Sequence, residues 1–258
     1  MLAQERQDKI FQMLQKDGAV TTAKLIAQFG VSIETVRRDL LVLEQSGKLM
    51  RVHGGAVAKA GMKAYPTLQQ RTKEFREEKY QLSREAVRFI SEGDIISIDA
   101  GSTAIAFAEV LKESFTRLTV VTHSRDVFDL LCNHREFSLI LLGGQYARGD
   151  NAFYGHLTMD MLRNLHAQKA FIFPSAVSIE YGICDFQQEL YPVQRQLIRT
   201  ADQAYILADS SKFEKTALLK LDDMKPEYIY ITDGALPEEA VRLYRENGLQ
   251  IYLGGSNT

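Results

Sequence analysis

The sequence is poor in the features that mark secreted and membrane proteins. It contains two cysteines, which form no CxxC pair, and five prolines. No stretch of about 18 consecutive apolar residues occurs, so we expect no membrane-spanning helix. Charged residues stand near the N-terminus, where a secretory signal requires an apolar stretch. We therefore expect a protein of the reducing cytoplasm that has no membrane partner.

The remaining composition is typical of a globular protein with a substantial core. Of the 258 residues, 45% are hydrophobic and 25% are charged, which is enough for one large or two unequal domains. The net charge of −2 argues against nucleic acid as a partner, but the charge is unevenly spread. Residues 1–60 hold nine Lys and Arg against six Asp and Glu. This asymmetry indicates that the N-terminal end meets a polyanion, although chance explains a drift of this size equally well.

Two helical patterns open the chain. Apolar residues at helical spacing predict a first helix over residues 3–16, which ends at Gly18. A second and shorter helix is capped by Thr21 or Thr22 and ended by Gly30. Gly30, directly after the second helix, permits a tight turn of the backbone.

A third helix follows that turn and has two distinct faces. Ile33, Val36, Leu40 and Leu43 recur at helical spacing and should be buried together. Two helices separated by a tight turn that contains glycine are typical of a helix-turn-helix. The segment 49–57 then alternates in strand fashion around a Gly-Gly turn, which predicts a small β-wing.

The exposed side of the third helix carries side chains that suit DNA. Arginine presents a planar fork of donors that matches guanine or a phosphate. Ser32, at the start of the helix, could offer its hydroxyl and the nearby backbone N–H groups to a phosphate. The alternative for Arg37 and Arg38 is a pair of solvated surface charges. The predicted DNA-binding residues are Ser32, Glu34, Thr35, Arg37, Arg38, Arg51 and His53.

Two segments of this region resemble a known family. Val31-Ser-Ile-Glu-Thr-Val-Arg-Arg-Asp-Leu40 and the later Arg51-Val-His-Gly-Gly-Ala-Val57 are similar to the DNA-binding segment of DeoR-type repressors. The resemblance covers nearly all of residues 4–57. It implies a winged helix-turn-helix that binds an operator in double-stranded DNA.

The periodic pattern is lost after the wing. Residues 58–78 contain Gly61 and Pro66 before a charged run, and we interpret them as a connector, with a solvated surface segment as the alternative. The sequence is therefore divided into a DNA-binding domain over 1–57, a linker over 58–78 and an effector-sensing domain over 79–258.

In this last domain, short apolar strands alternate with helices. The alternation predicts an α/β fold with a mostly parallel sheet and helices on both faces. The predicted strands span residues 95–99, 119–122, 138–142, 170–173, 204–208, 228–232 and 249–253. The predicted helices span residues 103–112, 125–133, 157–165, 190–201 and 237–247.

Ligands of such sheets bind beyond the carboxyl ends of the strands. The first strand ends in Asp99-Ala-Gly-Ser-Thr103, which runs directly into a helix. Gly101 lets the backbone approach a ligand, Ser102 and Thr103 supply hydroxyls, and a helix N-terminus favours an anion. The spacing is that of neither a GxGxxG loop nor a Walker A loop, so no cofactor is expected. An ordinary strand-to-helix turn is the alternative.

Other strand ends supply further candidates. Lys212 follows a strand that ends near Asp209 and is the best candidate to pair with a phosphate or a carboxylate; a solvated lysine is the alternative. His123 is a candidate contact whose alternative is a hydrogen-bonded structural role. Gly143 and Gly144 form either a ligand contact or a simple turn.

The order of these segments resembles the sensor domain of the DeoR family. The motifs that carry the resemblance, which extends to about residue 232, are Asp99-Ala-Gly-Ser-Thr103, Val120-Val-Thr-His-Ser124, Leu141-Leu-Gly-Gly144 and Asp209-Ser-Ser-Lys-Phe213. The resemblance implies a Rossmann-like fold similar to ribose-5-phosphate isomerase, with a sugar phosphate or related metabolite as the effector. The implied ligand residues are Asp99, Gly101, Ser102, Thr103 and Lys212, and Asp185, after a turn at 181–184, is a further candidate.

The sequence departs from the family pattern at three places. Pro174-Ser-Ala-Val follows the middle strand where a Gly-Ala-x-Gly pattern is more usual. Gln194 stands where lysine is common, and His123 stands where asparagine is usual. These positions are expected to face the ligand, and loss of a lysine charge would weaken a phosphate contact.

These features predict a transcription regulator that represses a carbohydrate catabolic operon in response to a phosphorylated metabolite. No catalytic residue and no metal ligand are predicted. One alternative is a sugar-phosphate isomerase or deaminase fused to a DNA-binding head, for which Glu180, Asp185 and Glu189 could be recruited as general bases. Another is a second domain that serves assembly only. Because symmetric dimers usually bind operators, we expect a homodimer or tetramer.

Overall fold

A computed structural model of the chain describes residues 3–17, 19–52, 54–57 and 66–255. The chain divides into two compact units, Met1–Tyr65 and Pro66–Thr258. Separate clusters of buried apolar side chains lie in the two units. Among the described residues, no helix is both long enough and apolar enough to cross a membrane.

The first unit is a three-helix domain with a small antiparallel sheet in the order β1-β3-β2. Its elements are α1 (Ala3–Asp17), β1 (Ala19–Thr21), α2 (Thr22–Phe29), α3 (Ile33–Gln45), β2 (Met50–Val52) and β3 (Gly55–Val57). The predicted helix-turn-helix and wing are therefore present. Gly55 is required for this sheet, because a Cβ at that position would lie 2.1 Å from the carbonyl oxygen of Val20 in β1.

Local hydrogen bonds explain where the second and third helices begin. The Thr21 hydroxyl accepts from the backbone N–H of Lys24 at 3.2 Å, so Thr21 rather than Thr22 is the N-cap of α2. Ser32 caps α3 in the same way by accepting from the N–H of Thr35 at 3.3 Å. Gly30 ends α2 in the left-handed conformation, which glycine adopts without steric cost.

The prediction that four apolar residues of α3 are buried together is wrong for one of them. Val36, Leu40 and Leu43 are buried, but Ile33 is 38% exposed. Ile33 is the first residue of the helix, so no earlier turn of α3 packs beside its side chain. The buried face instead includes Asp39, which lies about one turn after Val36.

Asp39 joins α3 to α1 through a buried ion pair. Its Oδ2 accepts from Arg6 Nε at 2.6 Å, and its Oδ1 accepts from Gln7 Nε2 at 2.9 Å. All three residues are at least nine-tenths buried. Since a buried charge is tolerated only when it is paired and hydrogen-bonded, this contact fixes how the third helix is held against the first.

The second unit is built on a parallel sheet of seven strands. In spatial order they are β15 (Gln250–Gly254), β14 (Ile229–Asp233), β12 (Ala201–Leu207), β9 (Ala167–Ile172), β4 (Ile95–Ile98), β5 (Thr119–Thr122) and β6 (Ser138–Leu141). Each corresponds to one of the seven predicted strands, within three residues at either end. The mostly parallel α/β fold is thereby confirmed.

Helices cover both faces of the sheet, as predicted. One face packs against α5 (Arg76–Ala86), α6 (Ser102–Ser114) and α7 (Arg125–Leu131). The other packs against α8 (His156–Arg163), α9 (Tyr191–Arg199) and α10 (Glu238–Glu246). Short 3-10 helices lie at Val87–Phe89 and Ser210–Lys212. Neighbouring residues of β9 point to opposite faces of the sheet. Phe171 packs on the face covered by α5, α6 and α7, and Ile172 packs on the face covered by α8, α9 and α10.

Additional strands that the sequence analysis missed lie beyond the carboxyl ends of the parallel strands. A hairpin of β7 (Gln145–Ala147) and β8 (Ala152–Tyr154) follows β6. A small antiparallel sheet is formed by β10 (Ala176–Ser178), β11 (Gly182–Asp185) and β13 (Leu219–Asp222). The turn predicted over 181–184 is therefore largely strand β11. These strands have three or four residues each, too few for a period to stand out in the sequence.

The predicted linker over 58–78 is wrong in its second part. Residues 58–65 lie outside the described residues, but residues 66–78 belong to the second unit. They form a further helix, α4 (Leu68–Lys73), and the first turn of α5. Thr67 and Gln70 form a reciprocal capping box at the start of α4. The charged residues of this segment concealed the helix, because it is attached through polar contacts and not through an apolar face.

We expect Asp39→Ala to destabilise the first unit. The change leaves the Arg6 guanidinium buried without its carboxylate, which typically costs about 3–5 kcal/mol. Hydrogen exchange of the amides in residues 3–52 of the full chain would measure the loss. Asp8→Ala, at an exposed position on α1, is the control and should change little. Equal protection in the two variants would contradict a stabilising role for the ion pair.

Candidate functional site

Helix α3 presents a polar face away from the core of the first unit. Glu34, Arg37 and Arg38 are exposed, and Thr35 is half-buried at the first turn. The hydroxyl groups of Ser32 and Thr35 lie 3.0 Å apart. The arginines are therefore available to a partner, as the sequence analysis expected for a helix that enters a groove of DNA.

The wing places one further arginine near this helix. The backbone N–H of Arg51 donates to Glu44 Oε1 at 2.9 Å, and its Nε lies 3.9 Å from Glu44 Oε2. This ion pair is half exposed, so it holds Arg51 only loosely. His53, the other predicted wing residue, lies outside the described residues.

In the second unit, the end of β4 and the start of α6 form a tight loop. Gly101 is the N-cap of α6, with φ at 129° and no side chain to cap the helix. Ser102 and Thr103 occupy the first turn and are both buried. The Thr103 hydroxyl has no hydrogen-bond partner among the described residues. Backbone N–H groups and two hydroxyls thus meet at a helix N-terminus, where an anion is favoured.

Asp99, immediately before this loop, is fully buried and accepts hydrogen bonds from three separate elements. Its Oδ2 accepts from Gln194 Nε2 at 3.0 Å and from the Phe173 N–H at 3.3 Å. Its Oδ1 lies 3.0 Å from His123 Nε2. A buried carboxylate requires such partners, so Asp99 fixes the ends of β5 and β9 and the start of α9 relative to β4.

His123 is held by two acceptors. Its Nδ1 lies 2.9 Å from the Phe153 carbonyl oxygen, which can only accept, so Nδ1 carries a proton. Its Nε2 lies 3.0 Å from Asp99 Oδ1, so both ring nitrogens have partners within the protein. Such pairing is what the alternative interpretation, a hydrogen-bonded structural role, expected of His123.

Gln194 and Asp185 extend this network toward the small antiparallel sheet. The Nε2 of Gln194 donates to Asp185 Oδ2 at 3.0 Å as well as to Asp99. Asp185 Oδ1 accepts from Ser175 Oγ at 2.9 Å. Burial raises the pKa of the Asp185 carboxyl group, and the hydrogen bond from Gln194 only partly opposes this. The Gln194 Oε1 is buried and has no partner among the described residues.

Lys212 lies where the sequence analysis expected a charge partner. Its Nζ donates to the Pro174 carbonyl oxygen at 3.0 Å and lies 3.8 Å from Asp209 Oδ2. Burial lowers the pKa of the Lys212 ammonium group, and the Asp209 carboxylate opposes that shift. The lysine side chain is only 17% exposed and has two protein partners, so it is not the solvated side chain of the alternative interpretation.

Three charged residues that the sequence analysis missed belong to this end of the sheet. Arg71, on α4, donates from Nη2 to Asp150 in the β7–β8 loop. Lys79, on α5, is buried, and its pKa is lowered to about 8 by burial and by the charge of Lys212. Burial raises the pKa of Asp150, although the Arg71 guanidinium opposes the shift. Arg71 was missed because it lies in the 58–78 segment that was taken for a linker, whereas Lys79 is the first residue of the predicted effector-sensing domain and was not recognised as part of the site.

Gly143 and Gly144 do not join this cluster directly. They follow β6, which lies two strands away from β4 at the edge of the sheet. A Cβ on Gly144 would lie 2.2 Å from the Thr158 hydroxyl and 2.5 Å from the Tyr154 carbonyl oxygen. Glycine at 144 is therefore explained by the close approach of β8 and α8.

The acidic residues considered for catalysis are dispersed. Asp185 is buried and hydrogen-bonded, whereas Glu180 and Glu189 are exposed. In the part of the chain that the structure describes, no group of three or more His, Cys, Asp or Glu side chains is arranged to hold a metal ion.

We expect Asp185→Asn to stabilise the second unit near neutral pH. A carboxyl group whose pKa is raised on folding contributes most below its unfolded pKa of about 3.9 and loses that contribution as the pH rises through the folded value. Asparagine keeps the acceptor for Ser175 but turns its amide NH2 toward the Gln194 donor, a loss that does not depend on pH. The stability of the variant relative to the wild type should therefore rise between pH 4 and pH 7 in urea titrations. Asp129→Asn, on the exposed face of α7, should show no such trend. A loss of stability at pH 7 that exceeds the loss at pH 4 would contradict the assignment.

Both units match models of one protein family. The DeoR-like helix-turn-helix domain matches residues 6–60, and the DeoR C terminal sensor domain matches residues 74–234. Together the two matches cover most of the chain.

Curated relatives match over nearly the whole length. The HTH-type transcriptional repressor GlcR of Bacillus subtilis is 31% identical over 252 residues, 97% of this chain and 96% of the relative. The lactose phosphotransferase system repressor of Lactococcus lactis is 32% identical over 83% of this chain and 85% of its own. The L-fucose operon activator of Haemophilus influenzae is 29% identical over 96% and 99%, respectively.

Among solved structures, the chain is similar to ribose 5-phosphate isomerase A from Neisseria gonorrhoeae. The TM-score is 0.40, the sequence identity is 18%, and 52% of each chain is covered. This likeness is too distant to bear on the chemistry of the site.

Proposed function

Because the chain belongs to the DeoR family of transcriptional regulators, we propose that it represses a carbohydrate catabolic operon and responds to a phosphorylated sugar or related metabolite. Relatives named for lactose, fucose and other operons support a carbohydrate signal, and they include both repressors and an activator. The single observation that carries the effector proposal is the group of basic side chains near the first turn of α6, which are Arg71, Lys79 and Lys212.

The DNA-binding part of the proposal rests on the exposed face of α3. This helix enters the major groove, and its arginines contact base edges or phosphates. Arg51 and His53 of the wing contact the backbone of the duplex beside it. The residues assigned to DNA are Ser32, Glu34, Thr35, Arg37, Arg38, Arg51 and His53. One such helix supplies little specificity, so we propose a homodimer or tetramer that binds paired half-sites.

In the proposed effector site, one set of residues binds the phosphate of the effector and another set binds its sugar hydroxyl groups. The phosphate lies at the first turn of α6, where backbone N–H groups and the hydroxyls of Ser102 and Thr103 donate to it. Arg71 and Lys212 supply the positive charge that balances it. The sugar hydroxyls donate to the acceptors of Asp185 and Gln194, which face the same end of the sheet.

The departures from the family pattern lower the positive charge of the proposed effector site but do not remove it. Gln194 carries no charge between Asp99 and Asp185, where lysine is common. The positive charge for the phosphate therefore comes from Arg71, Lys79 and Lys212. We assign the effector contacts to Asp99, Gly101, Ser102, Thr103, Asp185 and Lys212, with Gly143, Gly144 and His123 as supporting residues.

In this proposal the site binds its ligand and does not convert it into a product. Asp185, the acidic residue nearest the pocket, is occupied by Ser175 and Gln194 and is not placed as a free general base. A turnover assay with pentose and hexose phosphates tests this assignment. Isomerisation that is lost in Asp185→Asn would overturn it in favour of a sugar-phosphate isomerase fused to a DNA-binding head.

We expect Arg38→Ala to weaken binding to the operator selected from a random DNA pool. If Arg38 contacts a base edge, the loss should be about 1–3 kcal/mol on the specific site and small on random DNA. Fluorescence anisotropy at fixed salt measures both affinities. The exposed Arg84→Ala is the charge-matched control in the second unit. An equal loss on both DNAs would make Arg38 a phosphate contact, and no salt-dependent binding to any duplex would remove the regulator proposal.

We expect Ser102→Glu to abolish the effector response and leave operator binding intact, because its carboxylate would occupy the phosphate position. Ser102→Gln, which is equally large but uncharged, should respond more weakly than the wild type without losing the response. The measurement is the melting temperature against a panel of sugar phosphates, since a ligand at about a hundred times its Kd adds roughly 2.7 kcal/mol. A wild-type chain that no phosphorylated metabolite stabilises would contradict the sensor proposal.

A further inference from the structure

The two edges of the seven-stranded sheet are protected to different degrees. At one edge, the Arg245 side chain donates from Nη2 to the Ile251 carbonyl oxygen of β15 at 3.4 Å. Charged side chains at an edge strand are a common means by which proteins block pairing with other chains. At the other edge, β6 pairs, among the described residues, with β5 alone.

The backbone of β6 presents donors and acceptors along this open edge. The N–H groups of Ser138 and Leu142 point inward and donate to carbonyl oxygens of β5 and of the residue before it, at 2.9 and 2.8 Å. Backbone groups of successive strand residues alternate in direction, so the N–H and C=O groups of Leu139 and Leu141 point outward. Such a row of outward groups is a template on which a further strand can pair.

The sequence around β6 lacks the charges that usually protect an edge. Residues 137–147 contain no Asp, Glu, Lys or Arg. Leu139, Ile140 and Leu141 are each half-buried, so part of their apolar surface faces solvent. In a two-fold symmetric contact, a side chain near the axis lies close to its own copy, and a charge there would meet an identical charge. An uncharged edge is therefore electrostatically suited to pairing with a second copy of itself.

Exposed apolar side chains extend this surface beyond the strand. Helix α8 begins beside the end of β6, since the Thr158 hydroxyl donates to the Gly143 carbonyl oxygen at 2.8 Å. On this helix Leu157 is 57% exposed, and Met161, about one turn later, is also exposed. A stable interface buries about 1,200–2,000 Å² in total, more than one short strand supplies. The apolar side chains of α8 add area next to the edge.

We propose that β6 pairs in antiparallel fashion with β6 of a second copy of this chain, across a two-fold axis near Ile140. The two seven-stranded sheets then form one continuous sheet. With the axis at this position, Leu139 lies opposite the partner's Leu141, and each such pair exchanges two backbone hydrogen bonds. Ile140 lies opposite its own copy in a non-hydrogen-bonded pair, where side chains are closest. This inference rests on the proposed homodimer or tetramer and names the surface that forms it.

A charge placed on this edge should weaken the assembly. We expect Leu141→Lys to raise the dissociation constant of the pairing about tenfold or more, because the change occurs twice at the axis and brings like charges together. Sedimentation velocity of the full chain over a concentration series measures that constant. Leu243→Lys, the same substitution at an exposed position on α10, is the matched control and should leave the assembly unchanged.

Cross-linking tests the register without weakening the contact, and it does not depend on the folding of Leu141→Lys. In Ile140→Cys, mild oxidation should join two chains through a disulfide, because the Cβ atoms of a non-hydrogen-bonded pair are close enough for one. Cys132→Ser is included in the background, since Cys132 is exposed and Cys184 is buried. Leu243→Cys in the same background should remain a single chain on a non-reducing gel.

The outcomes separate this interface from the proposed assembly. If the wild type assembles and either Leu141→Lys assembles equally well or Ile140→Cys forms no disulfide, the β6 interface is overturned and the proposed homodimer or tetramer remains. Assembly that is lost in Leu243→Lys and kept in Leu141→Lys would also overturn it, in favour of the other edge of the sheet. A wild type that stays monomeric at every concentration removes the proposed assembly and this interface together.

Discussion

A fully buried carboxylate requires hydrogen-bond partners, and Asp99 has one partner on each of three elements. The end of β5 supplies the ring of His123, the end of β9 supplies a backbone N–H, and α9 supplies the amide of Gln194. These contacts set the relative positions of the strand ends that surround the proposed effector site. The loop that follows Asp99 caps α6 with glycine, so the same residue also fixes the position of the first turn of α6.

The charged side chains around that turn come from elements that are distant in sequence. Asp99, Asp150, Asp185 and Asp209 lie within the same end of the sheet as Arg71, Lys79 and Lys212. Burial lowers the pKa of both lysines and raises the pKa of Asp185 and Asp150. A bound anion would favour the charged form of the two lysines, and perturbed groups of this kind cluster at functional sites.

The architecture was predictable where a pattern was long, and the site was predictable only in part. Seven apolar strands and the burial of Val36, Leu40 and Leu43 on α3 followed from periodicity. Ser32 followed from capping chemistry, which left the start of α2 open between Thr21 and Thr22. Asp39 was missed because a charged residue was not expected on a buried face. Arg71 was missed because a helix attached by polar groups looks like a solvated linker, and Lys79 was missed because a lysine at the start of a domain was not expected to be buried. Pairing between Asp150 and Arg71, which are far apart in the chain, has no local signal at all.

The central claim is that the first turn of α6, together with Arg71 and Lys212, receives the phosphate of the effector. A crystal structure of the full chain with a bound phosphorylated sugar tests it most directly. The claim requires the phosphate oxygens to lie within hydrogen-bonding distance of the backbone N–H groups of Ser102 and Thr103 and of the Arg71 guanidinium. A phosphate bound anywhere else, with this turn of α6 left unoccupied, would contradict it.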